Sequence, residues 1–172
     1  YNFPIIILNL CNNYGPYQFT EKFIPTIVFN FINKKKIPVY GNGKNIREWI
    51  YVEDCCRAIE KVIRKGKPGS HYNIGSGVRY NNLYLIKKIY KILKKLNLVN
   101  ATYKKSIKFV KDRPGHDFRY ALNASLFKNK IKWSCQINLT EGLKKTIQWY
   151  LNNKKWYKHT KKIYKGERLG LK

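Results

Sequence analysis

Short apolar runs with β-strand character alternate along this chain with stretches of helical periodicity, and this alternation limits the fold more than any other feature. Residues 3–9 (FPIIILN) form an apolar run that predicts a buried, parallel strand. Residues 22–35 follow, with apolar side chains at Phe23, Ile27 and Phe31, which is the spacing of one helix face. Strands that alternate with helices are typical of an α/β fold.

The rest of the chain continues the same alternation. A Gly-Asn-Gly turn at residues 41–43 separates two β-rich stretches. Further helices are predicted from Glu53 to Lys65, from Leu83 to about Lys95, around 124–130 and from Thr140 to about Asn153, and further strands at 71–75 and 107–110. Asn82 and Thr140 are the predicted N-caps of their helices, because such side chains accept hydrogen bonds from free backbone N–H groups. We expect the weakly patterned, basic tail from Trp156 onward to be a peripheral segment.

The formal net charge of +27 comes from 36 Lys and Arg against 9 Asp and Glu. Such a charge is typical of a nucleic-acid-binding module. However, only seven of the basic residues are Arg, and the lysines are spread from Lys22 to Lys172. Lys, Asn, Ile and Tyr are also the residues of A/T-rich codons. We therefore favour a solvated Lys-rich surface over specific nucleic-acid binding, and retain the nucleic-acid module as an alternative of a different class.

Several other classes of protein are disfavoured by what the sequence lacks. It has no run of about 18 apolar residues, and its first residues lack the basic region and cleavage site of a signal peptide. Four Cys without a C-x-x-C pair and three His without H-x-x-x-H predict no metal site. We therefore expect a cytoplasmic protein in a reducing compartment. The chain has no Met and begins with Tyr1, so we also expect it to be a piece of a longer chain.

The first of three polar loops that follow predicted strands is Asn12-Asn13-Tyr14-Gly15-Pro16-Tyr17. Ligands of open α/β sheets bind at the carboxyl ends of strands, where Asn side chains can both donate and accept. Asn and Gly also occur in turns simply because they tolerate unusual backbone angles. Taken alone, this loop favours a turn over a site.

The second loop is Pro38-Val39-Tyr40-Gly41, and it is followed by Arg47 on a strand-like, apolar stretch. A guanidinium in such a place needs a partner. A diphosphate would serve, and so would an ion pair to Glu48 or Glu53. The sequence favours neither alternative.

The third loop, Asp112-Arg113-Pro114-Gly115-His116-Asp117, places Arg, His and two carboxylates around a Pro-Gly turn. It is either a binding site on a rigid loop or a turn that satisfies its own charges, and we favour the site.

Motifs for dinucleotide chemistry are not informative in this chain. Neither G-x-G-x-x-G nor G-x-x-G-x-x-G occurs, so the sequence predicts no phosphate loop for a dinucleotide. Tyr-x-x-x-Lys occurs five times, but 14 Tyr in so Lys-rich a chain make such matches uninformative.

At the three loops the sequence resembles the dTDP-glucose 4,6-dehydratases, which are extended short-chain dehydrogenases/reductases. The matching stretches are CNNYGPYQFTEKFIP, PVYGNGKNIREWIYVED, HYNIGSG, KDRPGHDFRYALNAS, TIQWYLNN and YKGERLGL. The combination of NNYGPYQF with DRPGHD is far more specific than the shared YGPY alone. The resemblance covers essentially the whole chain and implies the C-terminal part of an extended Rossmann-type enzyme: the last sheet strands and the small substrate-binding α/β domain, over residues 1–172.

The resemblance also implies roles for individual residues. Asn13 would contact NAD, and Arg47 and Arg113 would hold the substrate diphosphate. The nucleotide-sugar site would be lined by Asn12, Lys22, Phe23, Pro38, Val39, Tyr40, Arg47, Asn82, Asp112, Arg113, Pro114, Gly115 and His116.

The reaction that the resemblance implies oxidises a dTDP-glucose at C4 with NAD, eliminates water across C5–C6 and returns the hydride to C6, as in deoxysugar and surface polysaccharide biosynthesis. The parent would be a homodimer. Its NAD-binding Rossmann portion, acid/base set and Tyr-Lys pair would lie upstream of residue 1, so this chain alone would be inactive. Fragments of UDP-sugar 4,6-dehydratases or epimerases remain close alternatives.

Overall fold

The computed structural model describes residues 3–163, and its elements alternate as the sequence predicts. The strands are β1 (Ile7–Leu10), β2 (Asn12–Tyr14), β3 (Ile37–Tyr40), β4 (Ile46–Tyr51), β5 (His71–Ile74), β6 (Arg79–Asn81), β7 (Ile107–Val110) and β8 (Arg119–Tyr120). The helices are α1 (Phe23–Ile32), α2 (Val52–Lys65), α3 (Asn82–Lys95), α4 (Tyr103–Ser106), α5 (Ser125–Ile131), α6 (Leu139–Asn152) and α7 (Lys154–Ile163). The α/β class is thereby confirmed.

Parallel pairing brings together strands that are distant in sequence. β1 pairs with β5 and β3 pairs with β7, both in parallel. β4 is the most connected strand: it pairs in parallel with β2 and β8 and antiparallel with β6. Because parallel strands end at the same edge, the loops that follow β3 and β7 start side by side.

Two apolar clusters hold these elements together. The larger lies among α1, α3 and α6, where Ile24, Leu85 and Ile147 are completely buried. The smaller lies between α2, α5 and β5. Burying one such side chain stabilises the fold by about 1.5–3 kcal/mol. None of the helices in the described part of the chain is both apolar enough and long enough to cross a bilayer.

The apolar run at residues 3–9 is only partly the buried strand that the sequence predicts. Its strand is parallel, as expected, but covers Ile7–Leu10 and is half-exposed. Phe3 is 76% exposed and Ile5 is 46% exposed. The physical reason is that only one face of β1 is covered: Leu8 and Leu10 pack on the smaller cluster, whereas Ile7 and Asn9 on the other face are exposed.

Three further predictions are wrong in detail. Asn81, not Asn82, caps α3, and Asn138, not Thr140, caps α6; each side chain accepts a hydrogen bond from the backbone N–H three residues on. In both cases the sequence offers a second capping residue one or two positions away, and only the backbone angles select between them. The tail is not peripheral where it begins, because Trp156 and Tyr157 lie on α7 and pack against the larger cluster; residues 164–172 lie outside the described residues.

The cap of α3 can be tested directly. We expect Asn81→Ala to lower the free energy of unfolding by about 1 kcal/mol, because the backbone N–H of Tyr84 loses its acceptor. Asn82→Ala is the matched control and leaves the cap intact. Urea denaturation of both variants is the measurement, and a larger loss for Asn82→Ala would contradict the assignment.

Candidate functional site

The second and third loops meet at the common end of β3 and β7. The Gly41 N–H donates to the carbonyl of Val110 at 3.0 Å, which continues the pairing past the strand ends. The third loop then crosses to the start of β4, where the Ile46 N–H donates to the carbonyl of Phe118 at 2.7 Å. The structure therefore brings Tyr40, the third loop and β4 to one place.

Asp112 and His116 are hydrogen-bonded to each other inside the third loop. Nδ1 of His116 lies 2.6 Å from Oδ1 of Asp112, and the Arg113 N–H donates to the same oxygen at 2.9 Å. The hydrogen bond from His116 is the main reason that the pKa of Asp112 lies below its usual value. Since an ionised carboxylate only accepts, Nδ1 carries the proton, and Nε2 is left for a ligand. Asp112 and His116 thus satisfy each other within the loop, as expected for a turn that satisfies its own charges.

Two residues that contribute to this site, Gly41 and Asn45, were not among the predicted site residues. Gly41 has a φ of +54°, and a Cβ there would lie 2.7 Å from Oδ2 of Asp112. Asn45 is buried, and its Nδ2 donates to the carbonyl of Asp117 at 3.2 Å. Both residues lie in the sequence G-N-G-K-N, where they cannot be told from ordinary turn residues.

Arg47 points toward the third loop. Its guanidinium donates to two backbone carbonyls, that of Ile46 at 2.7 Å and that of Asp117 at 2.8 Å. The ion pair to Glu48 or Glu53 that the sequence left open is wrong. Glu48 lies on the opposite face of β4, as expected for adjacent strand residues, and faces Arg79 instead.

The charge of Arg47 is influenced by two charged side chains of the third loop. Burial lowers the pKa of Arg47 from its usual value, the Asp117 carboxylate opposes this effect, and the positive charge of Arg113 lowers the pKa further. Within residues 3–163 neither guanidinium group is within 4 Å of a carboxylate. Arg113 itself is exposed. Two arginine side chains at one loop, neither of them in an ion pair among these residues, form a site that favours a doubly charged anion.

Phe23 packs on β4 on the same face as Arg47, and Lys22 precedes it in the chain. The Phe23 ring stacks on Trp49 with centroids 6.0 Å apart, and Trp49 is two residues beyond Arg47. Side chains two apart on a strand share a face, so Phe23 and Arg47 lie on one side of the sheet. Lys22 precedes α1, is largely exposed and pairs with Glu21 at 2.6 Å. An exposed pair of this kind contributes little stability, so Lys22 can exchange Glu21 for another anion.

Asn12 and Asn13 lie on β2, opposite Trp49 and Ile50 of β4. The Asn13 Nδ2 donates to the carbonyl of Cys11 at 3.1 Å, whereas its buried Oδ1 has no hydrogen-bond partner in the described part of the chain. Leaving a buried acceptor unpaired costs about 1–3 kcal/mol. The arrangement therefore fits a ligand that donates a hydrogen bond to Asn13, as an amide group does.

The remaining predicted residues take less direct positions. The Asn82 N–H donates to the carbonyl of Asn45 at 3.1 Å, which brings Asn82 to the same loop. Val39 is 2% exposed and packs in the core, so it can offer a ligand only its backbone; Pro38 precedes it on β3. Pro114 and Gly115 form the exposed tip of the third loop.

The cysteines take no part in this site. Burial raises the pKa of Cys11 to about 12 and that of Cys135 to about 11, so both thiols stay protonated and pack as apolar groups. Among residues 3–163 no three His, Cys, Asp or Glu side chains are grouped as a metal site requires.

Comparison with known proteins identifies the family of this chain. Residues 1–146 match the family model described as GDP-mannose 4,6 dehydratase. The chain belongs to this family. It is 47% identical over 176 residues to a dTDP-glucose 4,6-dehydratase of Escherichia coli, and 44% identical over 172 residues to a probable dTDP-glucose 4,6-dehydratase of Sinorhizobium fredii. Each alignment covers 99% of this chain but 49% of the relative, so the chain spans about half the length of these relatives.

The similarity to a solved structure likewise covers nearly all of this chain and about half of the other chain. The dTDP-glucose 4,6-dehydratase of Bacillus anthracis in complex with NAD superposes with a TM-score of 0.84 at 41% identity, over 93% of this chain and 49% of that one. The predicted resemblance to dTDP-glucose 4,6-dehydratases and the Rossmann-type fold class are confirmed. NAD, predicted for the parent, is bound in this relative.

Proposed function

We propose that this chain forms the nucleotide-sugar-binding portion of a dTDP-glucose 4,6-dehydratase, in which Arg47 and Arg113 hold the substrate diphosphate. The observation that carries the proposal is that the Arg47 guanidinium donates to the backbone of the loop that bears Arg113, while neither guanidinium is within 4 Å of a carboxylate among residues 3–163. A diphosphate has two negative centres and can pair with both groups. The NAD-binding Rossmann portion would come from outside residues 1–172.

The other candidate residues would complete the sugar-nucleotide site around this anchor. Lys22 would add a charge beside Phe23, and His116, oriented by Asp112, would offer Nε2. Because the Asp112 pair and Gly41 hold the third loop in place, a bound ligand would not have to pay for ordering it. The residues proposed to line the site are Asn12, Lys22, Phe23, Pro38, Val39, Tyr40, Arg47, Asn82, Asp112, Arg113, Pro114, Gly115 and His116.

NAD, when bound, would accept a hydride from the sugar at C4 and return it at C6. The residues of this chain fit the edge of its site: the unpartnered Oδ1 of Asn13 would accept a hydrogen bond from the cofactor. The chain's main task would be to bind and orient the sugar nucleotide. The cytoplasmic location and the homodimeric parent stay predictions.

Titration with nucleotides tests the diphosphate site. We expect dTDP to bind this chain saturably in isothermal titration calorimetry, and dTMP to bind at least about tenfold more weakly, because one charge-assisted contact is lost. Thymidine serves as the uncharged control. Equal affinities for dTDP and thymidine would contradict the proposal.

We expect the isolated chain to show no dehydratase activity. The sequence contains neither a glycine-rich dinucleotide loop nor an informative Tyr-x-x-x-Lys motif, so hydride transfer has no machinery here. The measurement is the formation of 4-keto-6-deoxy sugar nucleotide from dTDP-glucose with added NAD, compared with a full-length relative. Product above background would refute this prediction.

A further inference from the structure

Lysines that are spread along the sequence are brought together by the fold on one part of the surface. Residues 23–40 and 82–110 contain three and eight lysines respectively, and no Asp, Glu or Arg. These two ranges fold against each other, because α1 packs on α3 and β3 pairs with β7. We call them the basic lobe. Its carboxylate-free surface is a product of tertiary structure, since the ranges are separated by 41 residues that include Glu48, Asp54 and Glu60.

No carboxylate neutralises the lysines of the basic lobe within the part of the chain that the structure describes. All but Lys88 are exposed, and none forms an ion pair among residues 3–163. A cleft of about 440 Å³ opens between the ends of α1 and α3, and Lys34, Lys35 and Lys105 are among its lining residues. Across it, Lys36 Nζ donates to the carbonyl of Lys105 at 2.5 Å.

Exposed aromatic rings accompany these charges. Tyr84 on α3 is 42% exposed, stacks on Tyr80 with centroids 4.6 Å apart, and has Lys88 Nζ 5.5 Å from its ring centre. Lys91 and Lys95 continue the same helical stripe at positions i+7 and i+11. Phe109 on β7 is 54% exposed and follows Lys108.

We propose that the basic lobe binds single-stranded nucleic acid without sequence specificity. Lysines would neutralise phosphates, and exposed rings would stack on unpaired bases, which is the combination that such binding uses. The absence of Arg from these two ranges removes the bidentate groups that most often read base edges. A membrane surface fits less well, because the apolar side chains of α3, including Leu85, Ile86 and Ile89, are completely buried in the core.

The test compares two variants with the same change of net charge. The lobe variant combines Lys34→Gln, Lys91→Gln, Lys95→Gln and Lys105→Gln. The control variant combines Lys144→Gln, Lys154→Gln, Lys155→Gln and Lys158→Gln, which are exposed positions on α6 and α7. Binding of a fluorescent 20-nucleotide oligothymidine is measured by anisotropy over a range of salt concentrations.

We expect the lobe variant to lose at least about tenfold in affinity, and its slope of log affinity against log salt to fall by about 2–3 in magnitude. The control variant should stay within about twofold. Equal losses in both variants would overturn the proposal, because they would indicate attraction by net charge alone.

Two further comparisons separate the possible partners. Phe109→Ala should weaken the oligothymidine more than a duplex of equal length, because paired bases cannot stack on a protein ring. Vesicles of phosphatidylserine and phosphatidylcholine test the membrane. Binding of vesicles, but not of oligothymidine, that depends on the lobe lysines would also overturn the proposal. Circular dichroism confirms that each variant is folded.

Discussion

Replacing Arg47 by alanine is expected to weaken dTDP binding about 10- to 100-fold. A charge-assisted hydrogen bond from a half-buried guanidinium contributes about 1.5–3 kcal/mol, and each 1.4 kcal/mol corresponds to tenfold in affinity. Arg47→Lys keeps the charge but loses the planar fork, so we expect an intermediate loss. The measurement is calorimetric titration of dTDP into both variants.

The control for this experiment is Arg64→Ala. Arg64 lies on α2 and forms an exposed ion pair with Glu60 at 2.8 Å. The substitution therefore removes an arginine that has no contact with the candidate site. Its loss should leave dTDP affinity unchanged. If Arg47→Ala lowered only the stability of the fold and left the affinity of the folded protein intact, Arg47 would have no part in the site.

Gly75→Ala is expected to lower the free energy of unfolding by about 2–5 kcal/mol. A Cβ at Gly75 would lie 2.2 Å from Oε1 of Glu48, which is completely buried. That carboxylate accepts hydrogen bonds from the N–H groups of Gly77 at 2.7 Å and Leu122 at 3.1 Å. Moving it leaves two backbone donors and a completely buried carboxylate without their partners, which is costly.

Gly69→Ala is the matched control for Gly75→Ala. Gly69 has a φ of +78°, but a Cβ there would have no heavy atom within 4 Å. Its cost is therefore only the backbone strain of a left-handed residue, about 1–2 kcal/mol. Urea denaturation followed by circular dichroism measures both variants. If Gly75→Ala lowered the free energy of unfolding by less than Gly69→Ala does, Glu48 would be able to move aside without a loss of stability.

The sequence by itself determined the fold class, most elements and the three loops of the candidate site. Periodicity sufficed for α1 and α2 because each helix buries one face, which leaves a regular apolar spacing. The combination of an Asn-rich loop with DRPGHD was specific enough to indicate the family. These features depend on neighbouring residues, so they can be read along the chain.

Contacts between distant residues were decided by the tertiary structure alone. Arg47 has a backbone carbonyl of the third loop as its partner because β4 and β8 pair in parallel, whereas neighbouring Glu48 lies on the opposite face. The choice between Asn81 and Asn82 as a cap depended on backbone angles. The basic lobe exists because two lysine-rich ranges, 41 residues apart, pack together. The spacing of residues along the sequence carries no information on these contacts, because the folding of the whole chain sets the distances between residues that are far apart in sequence.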